Sequence, residues 1–307
     1  MTQPDSPAPV AVDDASNPFT RADAADASDV QLATAAGRGD AQALEALLRR
    51  HQRWIYNIAL RFILNPDDAA DLAQEALVRI TTRIAQFEGR ASFRTWAYRI
   101  VFTCFMDARR GRLEGLIESF DAYGEALDRI PLQALTLPRE QEPDRLWLVQ
   151  EAKIGCMLGM LLCLDREQRL VYLLGEICEA PSALAADVLG MTAVNFRKRL
   201  ERARADLIAF MNDKCGLVRT SNPCRCEKKT RGFIEAGWVD AAARRFVPLH
   251  HRQMKEHAAA HAPLLGQLHE QRYAELFREH PLYEGGDLAG KLRALLDDSK
   301  ALSSLRL

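Results

Sequence analysis

The sequence predicts an all-α protein with two small helical domains, a linker between them and a helical C-terminal extension. From Asp29 onward, apolar residues recur with helical spacing, and no segment alternates convincingly as a strand does. An acidic stretch with eight acids, three basic residues and three prolines separates two such helical blocks and is typical of a linker. The predicted segments are a disordered tail, a first domain, the linker, a second domain and the extension: residues 1–30, 31–112, 113–150, 151–214 and 215–307.

The bulk composition is that of a water-soluble globular protein. The 307 residues are 48% apolar and 27% charged, with a net charge of −1, so any nucleic-acid binding must come from local basic patches. The longest apolar run, Ile154–Leu164, is too short to span a bilayer. The first 30 residues contain four prolines and six aspartates and lack the pattern of a secretory signal. We therefore expect a disordered tail, no membrane insertion and a cytoplasmic location.

A first amphipathic helix is predicted in "NPDDAADLAQEALVRITTRI". Asn65 suits the N-cap and Pro66 the first helical position. The inward face would consist of Ala69, Ala73, Ala76, Leu77, Ile80 and Ile84. The other face combines acids with Val78. It is either a solvated surface or a docking surface for a basic partner, with one apolar contact at its centre.

The following segment mixes arginines with aromatic residues. Between Glu88 and Arg112 there are six arginines, two acids and five aromatic residues. A loop with glycine and serine, followed by such a helix, suits single-stranded nucleic acid, because arginines bind phosphate and rings stack on unpaired bases. The alternative is an amphipathic helix with an arginine-rich outer face.

The second block predicts a helix-turn-helix. A helix over Ala183–Leu189 would end at Gly190, and Thr192 would cap the next helix. The inward stripe of that second helix would be Phe196, Leu200, Ala203, Leu207 and Phe210. Five basic residues and one acid lie between Arg197 and Arg204, which favours a recognition helix for the major groove over an ordinary helical hairpin.

The combination resembles a known family. "NPDDAADLAQEALVRI", "FEGRASFRTWAYRI" and "LDREQRLVYLL…ADVLGMTAVNFRKRLERAR" resemble regions 2 and 4 of the extracytoplasmic-function class of bacterial RNA polymerase sigma factors, over about residues 35–212. The resemblance implies binding to core RNA polymerase and promoter DNA, promoter melting and transcription initiation, without a catalytic site in the chain. It also implies regulation, by an anti-sigma factor or by the C-terminal extension acting in cis.

The resemblance assigns roles to individual positions. The helix that docks on the polymerase clamp would present Asp68, Asp71, Gln74, Glu75 and Val78. The −10 element would be captured and melted by Gly89, Arg90, Ser92, Phe93, Arg94, Trp96 and Tyr98. The −35 element would be bound by Thr192, Asn195, Arg197, Lys198, Arg199 and Arg202. The start of this last helix departs from the usual family pattern, so the bases it reads stay open.

The extension contains a group of thiols and six of the seven histidines. The thiols are Cys215, Cys224 and Cys226, and a predicted helix would align His250, His257 and His261. Either these residues form a zinc site or redox sensor, or the region is a turn with small apolar thiols and surface histidines. Trp238, Phe246 and Tyr273 indicate a packed segment rather than a loose tail.

Two other functions compete with the sigma-factor interpretation. A stand-alone helix-turn-helix regulator would explain the second block but leave the arginine–aromatic segment without a purpose. A zinc enzyme would need a general base near its metal, and no H-E-x-x-H motif is present.

Overall fold

The computed structural model describes residues 19, 23–108, 114, 115, 117, 119–136, 142–242 and 286–297. Within these ranges the chain is helical, with an isolated β-bridge between Cys215 and Cys224 and no strand, so the all-α prediction is confirmed. The helices are α1 Asp23–Gly37, α2 Ala41–Ile63, α3 Pro66–Arg83, α4 Phe93–Asp107, α5 Phe120–Arg129, α6 Glu142–Leu162, α7 Arg166–Tyr172, α8 Ser182–Val188, α9 Ala193–Lys214, α10 Cys226–Glu235 and α11 Leu288–Asp297. A 3₁₀ turn at Ile84–Gln86 follows α3, and a π-helical turn at Leu173–Ile177 follows α7.

The prediction of a disordered tail over residues 1–30 is wrong at its C-terminal end, because α1 begins at Asp23. Asp29 is fully buried, and its carboxylate pairs with Arg50 and lies 3.1 Å from Nε2 of His51, both on α2. Asp29, whose charge suggested a solvated tail, is therefore the buried counterion of Arg50 on α2. Apart from Phe19, the tail before α1 lies outside the described residues.

Helices α1 to α4 form the first helical module. Leu64, in a left-handed conformation with φ of 66°, ends α2, and the Asn65 side chain caps α3 by accepting hydrogen bonds from the Asp67 and Asp68 amides. The predicted inward face of α3 is confirmed, since each of its members is at most 7% exposed: Ala69, Ala73, Ala76, Leu77, Ile80 and Ile84.

Helices α6 to α9 form the second module, which contains the predicted helix-turn-helix. Helix α8 begins and ends one residue earlier than the expected helix. The turn that follows it has Gly190 at φ of 66°, as predicted. Thr192 caps α9, because its hydroxyl accepts a hydrogen bond from the Asn195 amide at 3.2 Å. The inward stripe of α9 is buried as predicted: Phe196, Leu200, Ala203, Leu207 and Phe210.

The predicted linker, residues 113–150, is more ordered than expected, because it contains α5 and the first turns of α6. Tyr123 of α5 is buried; its hydroxyl donates to the Cys156 carbonyl at 3.0 Å, and its ring lies 5.8 Å from that of Phe210. Three of the eight acids that indicated a linker, Asp121, Glu125 and Asp128, are exposed on α5.

The described parts of the C-terminal extension pack on both modules. Helix α10 packs against α6, and the buried Lys229 ammonium donates to the carbonyls of Leu127 and Ile130 at the end of α5. Helix α11 packs against α2 and α3. The predicted histidine stripe, together with Phe246 and Tyr273, lies outside the described residues.

A buried carboxylate joins the two modules. Glu114, which follows α4, accepts hydrogen bonds from Arg166 at 2.6 Å and Arg169 at 2.9 Å, both on α7. Arg169 also donates to the Phe62 carbonyl at the end of α2, and Arg166 donates to the Ala108 carbonyl just after α4, each at 2.5 Å. These guanidinium groups satisfy carbonyls that helix C-termini leave without intrahelical partners. We call Glu114, Arg166 and Arg169 the Glu114 network.

Opposite charges and hydrogen bonds stabilise this network in its largely buried position. Glu114 is 9% exposed and Arg169 is 2% exposed. Burial raises the pKa of Glu114, but hydrogen bonds and charge from the two arginines outweigh burial and hold that pKa below its ordinary value. Removing one member of a buried pair leaves a charge without its counterion, which typically costs about 3–5 kcal/mol.

We predict that Glu114→Gln lowers the free energy of unfolding by about 3 kcal/mol at neutral pH. The pKa of Glu114 is lowered in the folded protein, so its contribution is present above the unfolded glutamate pKa of about 4.3 and is lost as the pH falls through the folded value. The difference between the variant and the wild type should therefore shrink below about pH 4. Urea unfolding followed by tryptophan fluorescence at several pH values measures it.

The matched control is Glu125→Gln. Glu125 pairs with Arg129 at 3.0 Å across one helical turn, and both side chains are more than two thirds exposed. Its loss should change the free energy of unfolding by less than about 0.5 kcal/mol. Equal losses for the two variants would contradict a special role for the Glu114 network.

Candidate nucleic-acid interface

The first half of α9 is a basic surface. Asn195, Arg197, Lys198 and Arg202 are exposed, and Arg199 is half-buried. An open depression on this surface is lined by Asn195, Lys198, Arg199 and Arg202. The buried stripe holds the helix against α7 and α8, so these side chains point away from the module on a rigid support. Amide and guanidinium groups in such a position can hydrogen-bond to base edges and to phosphates.

Arg199 is engaged within the protein. Its Nη1 lies 2.6 Å from a carboxylate oxygen of Glu167, at the start of α7, and both side chains are about 40% exposed. An ion pair this exposed contributes little stability, about 0–1 kcal/mol. DNA can therefore compete with Glu167 for the Arg199 guanidinium group. Until DNA binds, Glu167 would orient the Arg199 side chain.

The loop between α3 and α4 is the second exposed surface. Gly89 has a φ of 70°, a conformation that favours glycine, and both Gly89 and Arg90 are exposed. The Arg90 side chain is 84% exposed and lies 2.5 Å from the Glu88 carboxylate. Ser92 is half-buried and caps α4, since its hydroxyl accepts a hydrogen bond from the Thr95 amide at 3.2 Å. The loop thus presents the Arg90 guanidinium group beside a turn in which Gly89 has a positive φ.

Three of the predicted −10 residues are in the core, and their role at the −10 element stays a prediction. Phe93 is 1% exposed, Arg94 is 6% exposed and Tyr98 is fully buried. The Arg94 guanidinium pairs with Asp26 of α1, and the Tyr98 ring lies 4.9 Å from the ring of Phe19. Contact of these three side chains with DNA would require a rearrangement of the module.

Phe93, Arg94 and Tyr98 are buried because α4 has several buried faces. It packs against α1, α2 and α3 on one side and against α7 and α8 on the other. The sequence argument assumed a single core, which cannot take every aromatic residue of the segment. Trp96 is the intermediate case: it is half-buried, 5.5 Å from Phe87 and 5.8 Å from Phe93 between ring centroids.

The two modules meet directly at α4 and α8. Arg99 of α4 is exposed, yet its Nε donates to the Asp187 carbonyl of α8 at 2.9 Å and its Nη2 pairs with the Asp187 carboxylate. The sequence argument missed this contact, because nothing local connects residues 88 positions apart. The contact places α4, which follows the exposed loop, against α8, the first helix of the helix-turn-helix.

The outer face of α3 is acidic and accessible. Asp71 and Glu75 are exposed, while Asp68, Gln74 and Val78 are half-buried. Glu75 accepts a hydrogen bond from Arg79 at 2.9 Å, and Arg79 also reaches Asp107 at 3.3 Å. All five residues that the resemblance assigns to polymerase docking keep some exposure on this helix.

The zinc prediction for Cys215, Cys224 and Cys226 is not supported by the geometry. Among the described residues, no group of three or more cysteine, histidine, aspartate or glutamate side chains is arranged to hold a metal ion. Burial raises the pKa of all three thiols, that of Cys226 to about 12.

None of the helices in the described part of the chain has both the length and the apolar composition that a membrane crossing requires.

Comparison with known proteins identifies the first module. The family described as Sigma-70 region 2 matches residues 47–113, which run from α2 to just beyond α4. The RNA polymerase sigma factor NccH of Alcaligenes xylosoxydans xylosoxydans is 30% identical over 188 residues, which cover 60% of this chain and 94% of NccH. The ECF RNA polymerase sigma factor SigE of Mycolicibacterium smegmatis is 28% identical over 201 residues, 63% of this chain and 73% of SigE.

Two further matches cover other shares of this chain and of the matched proteins. SigG of Mycobacterium tuberculosis, an ECF RNA polymerase sigma factor, is 31% identical over 151 residues, which are 46% of this chain and 41% of SigG. The structure of CnrH in complex with the cytosolic domain of CnrY is similar over 60% of this chain and 97% of that chain, at 25% identity and a TM-score of 0.44.

The match to sigma-70 region 2, together with the alignment over nearly the whole of NccH, shows that the chain belongs to the extracytoplasmic-function RNA polymerase sigma factors, which direct transcription initiation.

Proposed function

We propose that this sigma factor works through three surfaces, one for core RNA polymerase and two for promoter DNA. The observation that carries the proposal is the capped, rigidly packed α9, whose exposed first half lines an open depression with one amide and three basic side chains. This surface would read the −35 element. The loop before α4 would contact the −10 element, and the acidic face of α3 would bind the polymerase.

At the −35 element, α9 would lie in the major groove with its N-terminal half toward the bases. Asn195 and Arg199 have the groups that pair with adenine and guanine edges, while Lys198, Arg197 and Arg202 suit phosphates. Thr192 would contribute through its cap, which fixes where the helix begins.

At the −10 element, fewer residues would contact DNA directly than the sequence alone predicted. Gly89, Arg90 and Ser92 would form the loop that receives an unpaired base, with Trp96 at its edge. Phe93, Arg94 and Tyr98 would act from the core, because they are buried in the helix that follows the loop.

The acidic face of α3 would dock on a basic surface of the largest polymerase subunit. Opposite charge favours such an encounter, and partly exposed Val78 would supply an apolar contact. The chain would need no catalytic site of its own, since phosphodiester chemistry belongs to the polymerase, and it would work in the cytoplasm. Control by an anti-sigma factor stays a prediction.

Binding both promoter elements would require the two modules to separate. The elements are named for positions about 25 base pairs apart, which is about 85 Å of duplex at about 3.4 Å per base pair. In the structure the corresponding modules touch through Arg99 and Asp187. We therefore propose that the described conformation is the closed, free form, and that polymerase and promoter select an open one.

We predict that Arg199→Ala weakens DNA binding in a sequence-dependent way, by about 1–3 kcal/mol on a matched −35 element and much less on a mutated one. Lys198→Ala should weaken binding to both DNAs equally and reduce the salt slope by about 1, because it loses a phosphate contact. Fluorescence anisotropy with duplexes at several salt concentrations separates the two effects.

Arg231→Ala is the matched control for these variants, since Arg231 is an exposed arginine on α10 that pairs only locally with Glu235. It should leave both affinities unchanged. Equal losses on matched and mutated DNA for Arg199→Ala would make Arg199 a backbone contact.

We predict that Arg90→Ala lowers promoter opening by roughly tenfold, the effect of losing about 1.5 kcal/mol of charged hydrogen bonding, without lowering the melting temperature. The side chain is 84% exposed, so its removal leaves no cavity. Permanganate reactivity of promoter thymines in the polymerase complex measures opening. Arg129→Ala, at a comparably exposed arginine on α5, should change neither quantity. Unchanged thymine reactivity in Arg90→Ala would remove the loop from the −10 contact.

A further inference from the structure

The Arg199–Glu167 ion pair joins two helices whose positions are fixed. Glu167 lies in the first turn of α7, which Asp165 caps by accepting a hydrogen bond from the Gln168 amide at 2.7 Å. The Glu114 network holds the residue just before Glu167 and the residue two positions after it. The backbone of Glu167 is therefore anchored on both sides, which fixes the place from which its carboxylate reaches α9.

Arg199 extends from a helix that is held equally well. Its neighbour Leu200 is 6% exposed and Phe196, one turn earlier, is fully buried. Helix α9 packs against α7 through this buried side. The Arg199 guanidinium group lines the open depression while its Nη1 lies 2.6 Å from the Glu167 carboxylate. Both members of the ion pair therefore have a rigid support.

Arg199 differs in this respect from the other cations of the same surface. No acid among the described residues pairs with Arg197, Lys198 or Arg202. These three residues suit phosphates, which every DNA sequence offers, whereas Arg199 suits a guanine edge. The cation that the protein itself holds is thus the one assigned to base reading.

The ion pair leaves one edge of the Arg199 guanidinium group unoccupied. Glu167 contacts Nη1, while Nε and Nη2 have no hydrogen-bond or charged partner in the part of the chain that the structure describes. Arginine reads guanine through two N–H groups that point at O6 and N7, and Nε together with Nη2 forms such an edge. Guanine binding and the ion pair can therefore coexist, because they use different edges.

We propose that Glu167 is a positioning residue, which keeps its contact with Arg199 at a matched −35 element and aims the free guanidinium edge at a guanine. This inference rests on the proposed function, which gives the −35 element to α9. Glu167 itself touches no DNA in this arrangement and acts through Arg199 alone.

Positioning of this kind raises specificity in two ways. An arginine that is already ordered loses less side-chain freedom on binding, which favours the matched element. An arginine held by a carboxylate is also less available to phosphates, which are the same on every sequence. Glu167 therefore raises the ratio between the affinities for matched and mutated DNA, although it adds a negative charge to a surface that binds a polyanion.

The test is Glu167→Gln in the full-length chain, with fluorescence anisotropy on two duplexes. One duplex carries the −35 element of a promoter that the protein transcribes with core polymerase, and in the other the guanines of that element are replaced. The variant should bind the matched duplex about fivefold more weakly, which corresponds to about 1 kcal/mol, and the mutated duplex no more weakly than the wild type does. Loss of a negative charge by itself has the opposite effect, since it reduces the repulsion of DNA.

Glu201→Gln is the matched control, because Glu201 is an exposed acid on α9 and its replacement removes the same charge. It should change the affinities for both duplexes by the same factor. A double variant shows whether Glu167 acts through Arg199: in the Arg199→Ala background, Glu167→Gln should not weaken matched binding further.

Several results would overturn the positioning role. Matched binding as tight as that of the wild type, or tighter, would mean that Glu167 only competes with DNA for Arg199. Equal losses on both duplexes would make Glu167 a structural residue of α7, and a loss that persists without Arg199 would show that it acts through another group. If Arg199→Ala itself binds both duplexes as the wild type does, the base-reading role of Arg199 in the proposed function fails, and positioning fails with it.

Discussion

The Glu114 carboxylate lies between two arginines at the place where the two helical modules meet, and the arrangement of the molecule follows from it. Arg166 and Arg169 belong to the second module, but they donate to carbonyls at or just beyond the ends of α2 and α4 in the first. The burial of Glu114 and Arg169 depends on the ion pairs that Glu114 makes with both arginines, while backbone carbonyls accept further hydrogen bonds from the two guanidinium groups. This mutual dependence makes the orientation of α7 specific, and α8 and α9 follow α7 in the chain.

The contacts between the modules differ in strength, and the proposed opening depends on that difference. The Arg99–Asp187 pair between α4 and α8 is about half-exposed, so it contributes little and is easily exchanged for solvent. The Glu114 network is more deeply buried and, in the proposed closed form, would hold the modules together along with the apolar contacts between them. Polymerase and promoter can shift an equilibrium between two forms only by their difference in affinity for them, so the strength of these contacts would set how much binding free energy opening requires.

Local sequence signals predicted the local structure well. The buried faces of α3 and α9, the Asn65 and Thr192 caps and the turn at Gly190 all follow from spacing and residue type. Features that depend on distant partners were not predictable: the carboxylate of Asp29 contacts Arg50 and His51, 21 and 22 residues away, and that of Glu114 contacts arginines 52 and 55 residues away. The burial of Tyr98 and Arg94 was not predictable for the same reason, since a sequence does not show that α4 is covered on several sides.

The central claim is that the free protein holds its two DNA-reading surfaces together through the Glu114 network and that promoter binding separates them. Single-molecule energy transfer between dyes at Glu88, in the loop before α4, and Val194, at the start of α9, tests it most directly, since both positions are exposed. We predict high transfer efficiency in the free wild type, a shift to low efficiency in the Glu114→Gln variant, and negligible transfer with polymerase and promoter, where the two elements lie about 85 Å apart. Low efficiency in the free wild type, equal to that of the promoter complex, would contradict the account.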